Sequence, residues 1–490
     1  MTDHNQVSVR NRLMFLLALV FISRLLAALV ILGFDGSAGF GSPDTATYVG
    51  LAASLVHGSF SSNGVPDVVR TPGYPLLLVP AVASYHPTLI ALFENLLLAT
   101  VSAWLIWKIV REIAPFSKAC VWAVLLYCFE PVGFLYSEKV LSDLLFCAEL
   151  LFFLWLTVGF LRSPRYTTLL GSSVALGLAT YTRPVSLFLG MWMAAFFLLV
   201  PRRLPWSSRI PKAAAFVLVF TITLLPWFVR NQKLAGYRGF SAITDESLYF
   251  YSAAAVKAKL EHKSFSRVQE ELGWNDNQRY FQSHPEQRDW SQGQVFKFQN
   301  AEARRIISQH LFTYSLIHVR GCAVVMLDPA VTEIMKLLRR YPQNGALLSR
   351  AVDQGFLRAV LWLVRQYPET ALALPVLGAQ LLLYYFLGLV GLRRLPIEEG
   401  ALLVWLFTYF VLVSGSSAAV ARFRMPIMPL VCISAGIAIA DWADKRRHLA
   451  AASRDPASAD SPKESHGRSA FATLISFRQF AAGVGRTEPC

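Results

Sequence analysis

Residues 12–34 read RLMFLLALVFISRLLAALVILGF, and this stretch indicates the class of fold. An α-helix needs about 20 residues to cross ~30 Å of hydrocarbon. The run is long enough for that and carries a single internal charge, Arg24. No small-residue cleavage site follows it, and it is too long for the apolar core of a signal peptide. We therefore interpret it as a retained membrane anchor.

The rest of the chain has the same character. Of its 490 residues, 54% are hydrophobic and only 16% are charged, and the mean hydropathy is +0.44. A soluble enzyme of this length would need more surface charge, so that class is excluded. Apolar blocks of membrane-spanning length predict an all-α polytopic protein with about ten transmembrane helices. The predicted spans are residues 12–34, 86–110, 119–136, 141–161, 167–181, 184–200, 212–230, 371–392, 400–418 and 425–441.

Basic residues concentrate in the short turns between these blocks, all on one side if the N-terminus is cytoplasmic. This positive-inside pattern predicts an inner-membrane protein, which has membrane lipids as partners. The basic turns also account for the net charge of +15. No basic face with interleaved aromatic residues is present, so nucleic acid is excluded as a partner. The turns contain Arg10, Arg12, Lys108, Arg111, Lys118, Arg162, Arg165, Arg202, Arg203, Arg209, Lys212, Arg393, Arg394, Lys445, Arg446 and Arg447.

Two segments on the opposite side, which we predict to be periplasmic, are too long to be turns. Apolar stripes at helical spacing predict helices that lie on the membrane surface in both, although residues 311–331 are alternatively a hairpin into the bilayer. Polar residues from 448 onward are typical of a disordered cytoplasmic tail. The predicted divisions are an N-terminal transmembrane module (1–230) with its outer loop (35–85), an outer segment (231–370), C-terminal transmembrane helices (371–447) and the tail (448–490).

Two motifs stand in the first outer loop. In PDTATYVGLAASL, residues 43–55, Asp44 is placed where a short helix begins. Its carboxylate is therefore either an N-cap or a general base at the membrane surface. In RTPGYP, residues 70–75, the prolines restrict the backbone. This rigid turn either holds Arg70 in a fixed pose for a phosphate or only routes the chain.

Further acidic residues stand in the outer turn YSEKVLSD, residues 136–143. Glu138 and Asp143 either face the same cleft or are ordinary helix ends, with Lys139 as a partner or with Asp143 as a cap. In the cleft they would share the base role, orient the acceptor or coordinate a divalent cation. The six cysteines form no C-x-x-C pair, and the histidines lack ligand spacing, so no zinc site is predicted.

Several arginines are predicted at the outer ends of helices. Snorkelling explains any one of them. Several arginines at one depth are harder to explain in this way, because the positive-inside pattern disfavours basic residues on that side. Such a group indicates a site for a lipid-linked phosphate. Arg24, in mid-span, is expected instead to form a buried structural pair with Glu94 or Glu149. The outer arginines are Arg183 in YTRP, Arg230 in PWFVRN, and Arg422 and Arg424 in ARFRMP.

In their order along the chain, these motifs resemble the GT-C superfamily of membrane glycosyltransferases. The nearest resemblance is to family 39-like enzymes, the bacterial branch of protein mannosyltransferases and lipid A aminoarabinose transferases, and it covers roughly residues 12–440. It implies a GT-C-like helical bundle, a polyprenyl-phosphate sugar as donor and a reaction at the periplasmic surface. The first acidic site has a single Asp where some members of the family have an acidic pair.

The resemblance also implies roles for individual residues. Asp44 matches the acidic residue of the first outer loop and is implied as the catalytic base, while Asp143, or alternatively Glu138, matches the second acidic position. Tyr48 and Tyr74, within the two motifs of the first outer loop, are predicted to line the substrate cavity. The predicted donor-phosphate-binding residues are Arg70, Arg183, Arg230, Arg422 and Arg424.

The function predicted on this basis is an inverting glycosyltransferase. Its donor is a polyprenyl-phosphate-linked sugar, its acceptor is a lipid, a glycan or a protein of the envelope, and it needs no cofactor other than, at most, a divalent cation. The main alternative is a transporter or a flippase for lipid-linked glycans. That class predicts functional charges in mid-membrane and repeated halves, whereas the charges here gather at one face.

Overall fold

The computed structural model describes residues 2–114, 117–341 and 355–452, and these are almost entirely helical. Residues up to Ala440 form one compact unit, and a second unit begins at Asp441. The described residues end at Ala452, so the predicted tail beyond that residue lies outside them. The division of the remaining chain into three parts stays a prediction.

The chain begins with one long helix, which is followed by the first outer loop. A short hairpin in this loop turns at Asn63 and Gly64, whose φ values of 51° and 78° are those that an Asn-Gly hairpin turn requires. Within the described residues it is the only sheet. The elements are α1 (Thr2–Asp35), a 3-10 turn (Gly36–Phe40), α2 (Thr45–Val56), β1 (Ser61–Ser62), β2 (Val65–Pro66), α3 (Gly73–Leu77) and α4 (Val79–Val82).

A bundle of apolar helices follows and contains most of the core. Large side chains such as Trp107, Phe153 and Phe216 are fully buried in it. Pro211 and Pro226 lie inside the last of these helices, where each removes a backbone hydrogen bond. The helices are α5 (Pro87–Ile113), α6 (Ser117–Cys128), α7 (Pro131–Ser137), α8 (Asp143–Arg162), α9 (Tyr166–Thr182), α10 (Leu189–Leu199) and α11 (Trp206–Ala235), with a 3-10 turn (Pro184–Ser186) before α10.

The outer segment is built of shorter helices around its own aromatic cluster, in which Tyr249, Phe250 and Tyr280 are buried. Its first helix continues into one turn of π-helix, Ser247–Ala253. Such turns are rare and occur often at functional sites. The helices are α12 (Ile243–Glu246), α13 (Ala254–Leu260), α14 (Phe265–Glu271), α15 (Asn277–Ser283), α16 (Gln292–Gln309), α17 (Leu311–Leu327), α18 (Val331–Leu337) and α19 (Phe356–Gln366), with a 3-10 turn (Pro285–Gln287) before α16.

The last apolar helices pack back onto the bundle. Trp405 and Trp192 donate from their indole nitrogens to each other's backbone carbonyls, at 2.9 and 3.0 Å, which joins the second of these helices to α10. A tight 3-10 turn separates it from the final helix. The elements are α20 (Pro368–Leu392), α21 (Ile397–Ser414), the turn Ala421–Arg424 and α22 (Met428–Ala452).

The prediction of an all-α membrane protein is confirmed. Six of the helices in the described residues are long and apolar enough to cross a membrane, and two bent pairs raise the number to eight. About ten spans were predicted, and each predicted span coincides with a helix or a bent pair. Three helices fall outside the count because α9 and α10 are short and α22 turns polar at Asp441. The helices that qualify belong to α1, α5, α8, α11, α20 and α21, and the bent pairs are α6–α7 and α16–α17.

The helix α17 bears on the predicted alternative for residues 311–331. It is apolar and meets α16 at an angle of 101°. This bend is compatible with a helix lying along the surface and a second one entering the bilayer. The single α17 therefore replaces the hairpin that the sequence suggested.

Two antiparallel helices show which end of the bundle carries the predicted site residues. Asp143 begins α8, and Arg183 directly follows the end of α9. The basic turn between the two helices, with Arg162 and Arg165, therefore lies at the other end, about 30 Å away for a helix of 20 residues. Asp143 and Arg183 are therefore separated by the length of a membrane span from the basic turn, which the charge pattern predicts to be cytoplasmic.

The predicted partners of Arg24 are wrong. Its guanidinium donates to the backbone carbonyl of Cys128 at 3.0 Å and lies 3.9 Å from the centre of the Phe134 ring. The acidic groups within electrostatic range are Glu138 and Glu130, and not Glu94 or Glu149. The hydropathy pattern locates a charge along a helix, but it does not reveal toward which neighbour the helix turns it.

Candidate active site

An ion pair joins the two motifs of the first outer loop. Nη2 of Arg70 lies 2.9 Å from Oδ1 of Asp44. Asp44 occupies the N-cap position of α2, but its side chain makes no capping hydrogen bond. Of the two roles left open by the sequence, the structure therefore does not support the cap.

Arg422 is the centre of the candidate site. Its Nη1 lies 3.1 Å from Oδ2 of Asp44, and its Nη2 lies 2.7 Å from Oδ2 of Asp143. Nε of Arg422 also donates to the same oxygen of Asp143, at 2.8 Å. One planar guanidinium thus bridges the two predicted acidic positions, a geometry that a lysine ammonium cannot reproduce.

Asp143 also holds Arg183. Its Oδ1 accepts a hydrogen bond from Nη1 of Arg183, and the carboxylate stands at the N-terminus of α8, where the helix dipole favours a negative charge. The Asp143 side chain has no exposed surface, whereas 29% of the Asp44 side chain is exposed. A substrate can therefore reach Asp44 directly but not Asp143.

These five residues, which we call the acid–arginine cluster, carry one excess positive charge: two carboxylates against three guanidiniums gives +1. The three arginines are all partly exposed. An excess of accessible guanidinium groups is the chemistry that binds a phosphate monoester or diester. The members are Asp44, Arg70, Asp143, Arg183 and Arg422.

Ion pairing favours the charged forms of Asp44 and Arg422. Burial alone would raise the pKa of Asp44, but the positive charges of Arg70 and Arg422 outweigh burial and hold that pKa below its ordinary value. Burial likewise opposes the charge on Arg422, yet its two carboxylate partners raise the pKa of the guanidinium. The ion pairs thus weaken Asp44 as a base while they remain intact.

Asp67 fixes the backbone that carries Arg70. Its Oδ1 accepts hydrogen bonds from the backbone N–H groups of Val69 and Arg70, at 2.9 and 2.7 Å. This side-chain turn holds Arg70 more directly than the prolines after it. Asp67 was not among the predicted site residues, although an Asp three residues before the RTPGYP turn is a signal for such hydrogen bonds.

The RTPGYP turn also packs directly on the YTRP turn. Thr71 donates from its hydroxyl to the carbonyl of Thr182 at 3.3 Å. A Cβ atom on Gly73 would stand only 2.8 Å from the backbone nitrogen of Thr182, so this position requires glycine. The contact sets the separation between Arg70 and Arg183.

The two predicted cavity tyrosines form the wall behind the cluster. Their rings meet edge to face with centres 5.1 Å apart, and both side chains are buried. The Tyr48 ring lies 5.5 Å from the Arg70 guanidinium, and its hydroxyl is 3.1 Å from that of Ser142, next to Asp143. Tyr48 therefore contacts the cluster, and Tyr74 supports Tyr48 from the core.

The structure does not bring three of the predicted residues to the cluster. Glu138 is buried beside Ser137 and within range of Arg24. Arg230 donates to the backbone carbonyls of Phe60 and Asp67 and so ties the hairpin loop to α11. Arg424 is buried and donates to the carbonyl of Val325 at 2.6 Å. Each forms structural contacts instead of the phosphate or base contacts predicted for it.

Metal binding was left open for the acidic residues. Within the described residues, no group of three or more His, Cys, Asp or Glu side chains is arranged to hold a metal ion. The space between the two carboxylates is taken by the Arg422 guanidinium. We assign no metal ligand.

Two residues of the outer segment also come close to the cluster. Glu246 lies within electrostatic range of Arg70, and Tyr251 lies within range of Asp44, Glu246 and Arg70. Neither belongs to a motif or to an apolar block. The sequence gives no signal for their position because it depends on how the outer segment folds back.

Residues 74–227 match the protein family described as dolichyl-phosphate-mannose-protein mannosyltransferase. Over these residues, less than half of the chain, the protein is similar to GT-C glycosyltransferases. The predicted resemblance and the prediction of an enzyme are thereby confirmed, and the transporter alternative loses support. The matched residues include Asp143 and Arg183, whereas Asp44, Arg70 and Arg422 lie outside them. No curated protein sequence matches the chain.

Among solved structures, the chain is similar to the oligosaccharyltransferase AglB from Archaeoglobus fulgidus in complex with an inhibitory peptide and a dolichol-phosphate. The identity is 14% and the TM-score is 0.46 over 94% of this chain and 54% of AglB. It is also similar to ArnT from Cupriavidus metallidurans bound to undecaprenyl phosphate, with 14% identity and a TM-score of 0.37 over 90% of this chain and 81% of ArnT.

The chain thus spans about half the length of AglB. Both TM-scores are below 0.5. The assignment of site residues in this chain therefore depends on its own geometry.

Proposed function

We propose that this glycosyltransferase moves a sugar from a polyprenyl-phosphate donor to an envelope acceptor, with inversion, at the periplasmic face of the inner membrane. The observation that carries the proposal is the acid–arginine cluster, in which Arg422 bridges Asp44 and Asp143. The cluster offers a base and a phosphate site side by side. Its distance from the basic Arg162–Arg165 turn supports the periplasmic side.

The donor phosphate binds to the guanidinium groups. Arg70, Arg183 and Arg422 are each partly exposed, and together they can contact several phosphate oxygens. Asp143 has no exposed surface and pairs with the last two, so its role is to position them. The arginines also stabilise the negative charge that develops on the polyprenyl phosphate as it leaves.

Asp44 is the general base. Its exposed carboxylate accepts the proton of an acceptor hydroxyl while the hydroxyl oxygen attacks the anomeric carbon. The new C–O bond forms on the face opposite the departing phosphate, and the bond from the anomeric carbon to the phosphate oxygen breaks. The electron pair of that bond remains with the polyprenyl phosphate.

Donor binding and base strength are coupled in this arrangement. In the structure, Arg70 and Arg422 neutralise the Asp44 carboxylate and lower its pKa. A bound phosphate attracts the same guanidiniums and adds a negative charge nearby, and both effects raise the pKa of Asp44. Asp44 therefore becomes a stronger base only when the donor is present.

The test compares Asp44→Asn with Asp289→Asn, which makes the same change at an exposed position of the outer segment. Each variant is returned to cells that lack the protein, and the envelope glycolipids, polysaccharides and proteins are compared by mass spectrometry. Loss of the base is expected to lower sugar transfer by about 100-fold or more, with no effect of Asp289→Asn. Normal transfer by Asp44→Asn would refute the proposal.

A further inference from the structure

The outer segment is tied to both sides of the acid–arginine cluster. The backbone N–H of Ala242 donates to the carbonyl of Val68 at 2.8 Å, two residues before Arg70. On the other side, the hydroxyl of Ser417 donates to the carbonyl of Tyr251 at 2.9 Å, in the loop that leads to Arg422. These two hydrogen bonds hold the start and the end of residues 242–251 of the outer segment. The end of α12 and the π-helix Ser247–Ala253 therefore lie against the cluster.

Two neighbouring acids in this stretch have different environments. Both carboxylate oxygens of Asp245 are engaged, one by the hydroxyl of Tyr237 at 2.7 Å and the other by the amide of Asn300. Asp245 therefore joins α12 to α16. The Glu246 carboxylate has no hydrogen-bond partner among the described residues, although it is only partly exposed and lies within range of Arg70.

Such a carboxylate is costly for the fold. A half-buried carboxylate loses part of its hydration, and without a hydrogen-bond donor little of that free energy is recovered. Burial raises the pKa of Glu246 to about 7, and the negative charges of Asp67 and Asp245 act in the same direction, against the attraction of Arg70. A cost of this kind at the edge of an active site indicates a functional role.

Tyr251 provides a second polar group on the same side. Its ring packs edge to face on Trp274 with centres 5.0 Å apart, and its hydroxyl has no hydrogen-bond partner among the residues that the structure describes. Burial and the negative charges of Asp44 and Glu246 raise its pKa, so the hydroxyl stays protonated and able to donate.

We propose that Glu246 and Tyr251 form the acceptor side of the active site. They bind hydroxyl groups of the acceptor saccharide that lie beside the hydroxyl group that Asp44 activates. The inference rests on the proposed function, because it takes Asp44 as the base. A carboxylate accepts hydrogen bonds from neighbouring hydroxyls, and a phenol both donates and accepts them. Two such groups beside the base suit an acceptor with several hydroxyls, carried by a glycolipid or by a polysaccharide.

The experiment compares Glu246→Gln with Glu286→Gln, which makes the same change at an exposed position of the outer segment. Full-length variants are returned to cells that lack the protein, and the transferred sugar is quantified separately in glycolipid, polysaccharide and protein fractions. The purified proteins are titrated with undecaprenyl monophosphate. Glu246→Asp, which keeps the charge, and the thermal unfolding midpoint of each variant control for misfolding.

We expect Glu246→Gln to lower sugar transfer at least about tenfold, with phosphate binding within twofold of the wild type and an unchanged or higher unfolding midpoint. Glu246→Asp should recover part of the transfer, and Glu286→Gln should match the wild type. The missing sugar in the glycolipid or in the polysaccharide fraction identifies which of them carries the acceptor.

Three outcomes overturn the inference: transfer by Glu246→Gln within twofold of the wild type, loss of phosphate binding by Glu246→Gln, or a missing sugar on protein alone. Failure of the proposed function looks different. In that case Arg70→Gln binds undecaprenyl monophosphate as tightly as the wild type does.

Discussion

Nη2 of Arg422 lies 2.7 Å from Oδ2 of Asp143, although 279 residues separate the two in the chain. This contact joins the turn before the last helix to the start of α8, inside the region that matches the glycosyltransferase family. Nη1 of the same guanidinium lies 3.1 Å from Oδ2 of Asp44. The site therefore forms only when the two ends of the membrane domain are packed together.

The two acidic residues should differ in their contribution to stability. Asp143→Asn leaves Arg183 and Arg422 without their buried countercharge, and breaking such a pair costs about 3–5 kcal/mol. Asp44→Asn acts on a more exposed carboxylate, and we expect a loss of about 1 kcal/mol. Thermal unfolding of the detergent-purified variants measures both. Equal midpoints for the two variants would contradict the assignment of Asp143 as the positioning residue.

A methyl group at Gly73 should disturb the spacing between the two arginine turns. Its Cβ would meet the backbone of Thr182 at 2.8 Å, and displacing Arg183 by about 1 Å is expected to lower sugar transfer by roughly 100-fold. Gly50→Ala is the matched control, because nothing lies within 4 Å of a Cβ at that position of α2. Transfer should be normal in Gly50→Ala, and equal activity of both variants would disprove the role of the contact.

The pKa of Glu246 predicts an unusual dependence of stability on pH. Its pKa of about 7 in the folded protein exceeds the ordinary value of 4.5, so the folded state binds this proton more tightly than the unfolded state. Stability is therefore lost as the pH rises from about 4 to above 7. Arg70, Asp67, Asp245 and Tyr251 are the charged or titratable groups that act on it.

Glu246→Gln should remove this cost. We expect its unfolding midpoint to exceed that of the wild type at pH 8 and to equal it at pH 4, as measured by thermal unfolding at both pH values. A lower midpoint for Glu246→Gln at pH 8 would show that the carboxylate stabilises the fold, which is the reverse of the expectation for a residue kept for function.

The sequence predicts the membrane helices well because hydropathy along the chain reflects the solvent around each segment. It also places Asp44 and Arg70 at one face, since both stand in the loop between the first two predicted spans. What it lacks is the rotation of each side chain about its helix or turn. Arg422 and Arg424 stand two residues apart in the same 3-10 turn, yet only the first faces the cluster.

The same limit applies to Arg230 and to Glu246. Arg230 was predicted to bind phosphate because it ends a span, but the hairpin loop folds over it and takes its hydrogen bonds. Glu246 was not singled out because it stands in a polar segment without a motif. Its place beside Arg70 follows from the packing of the outer segment, which local patterns do not encode.

The phosphate-binding role of Arg422 is tested by the affinity of the purified full-length protein for undecaprenyl monophosphate. We compare the wild type with Arg422→Gln and with Arg267→Gln, whose side chain is 70% exposed on the outer segment. Loss of a charged partner of the phosphate is expected to weaken binding at least about tenfold. We expect this loss for Arg422→Gln and none for Arg267→Gln. Equal affinity of all three proteins would contradict the assignment of Arg422 to the phosphate site.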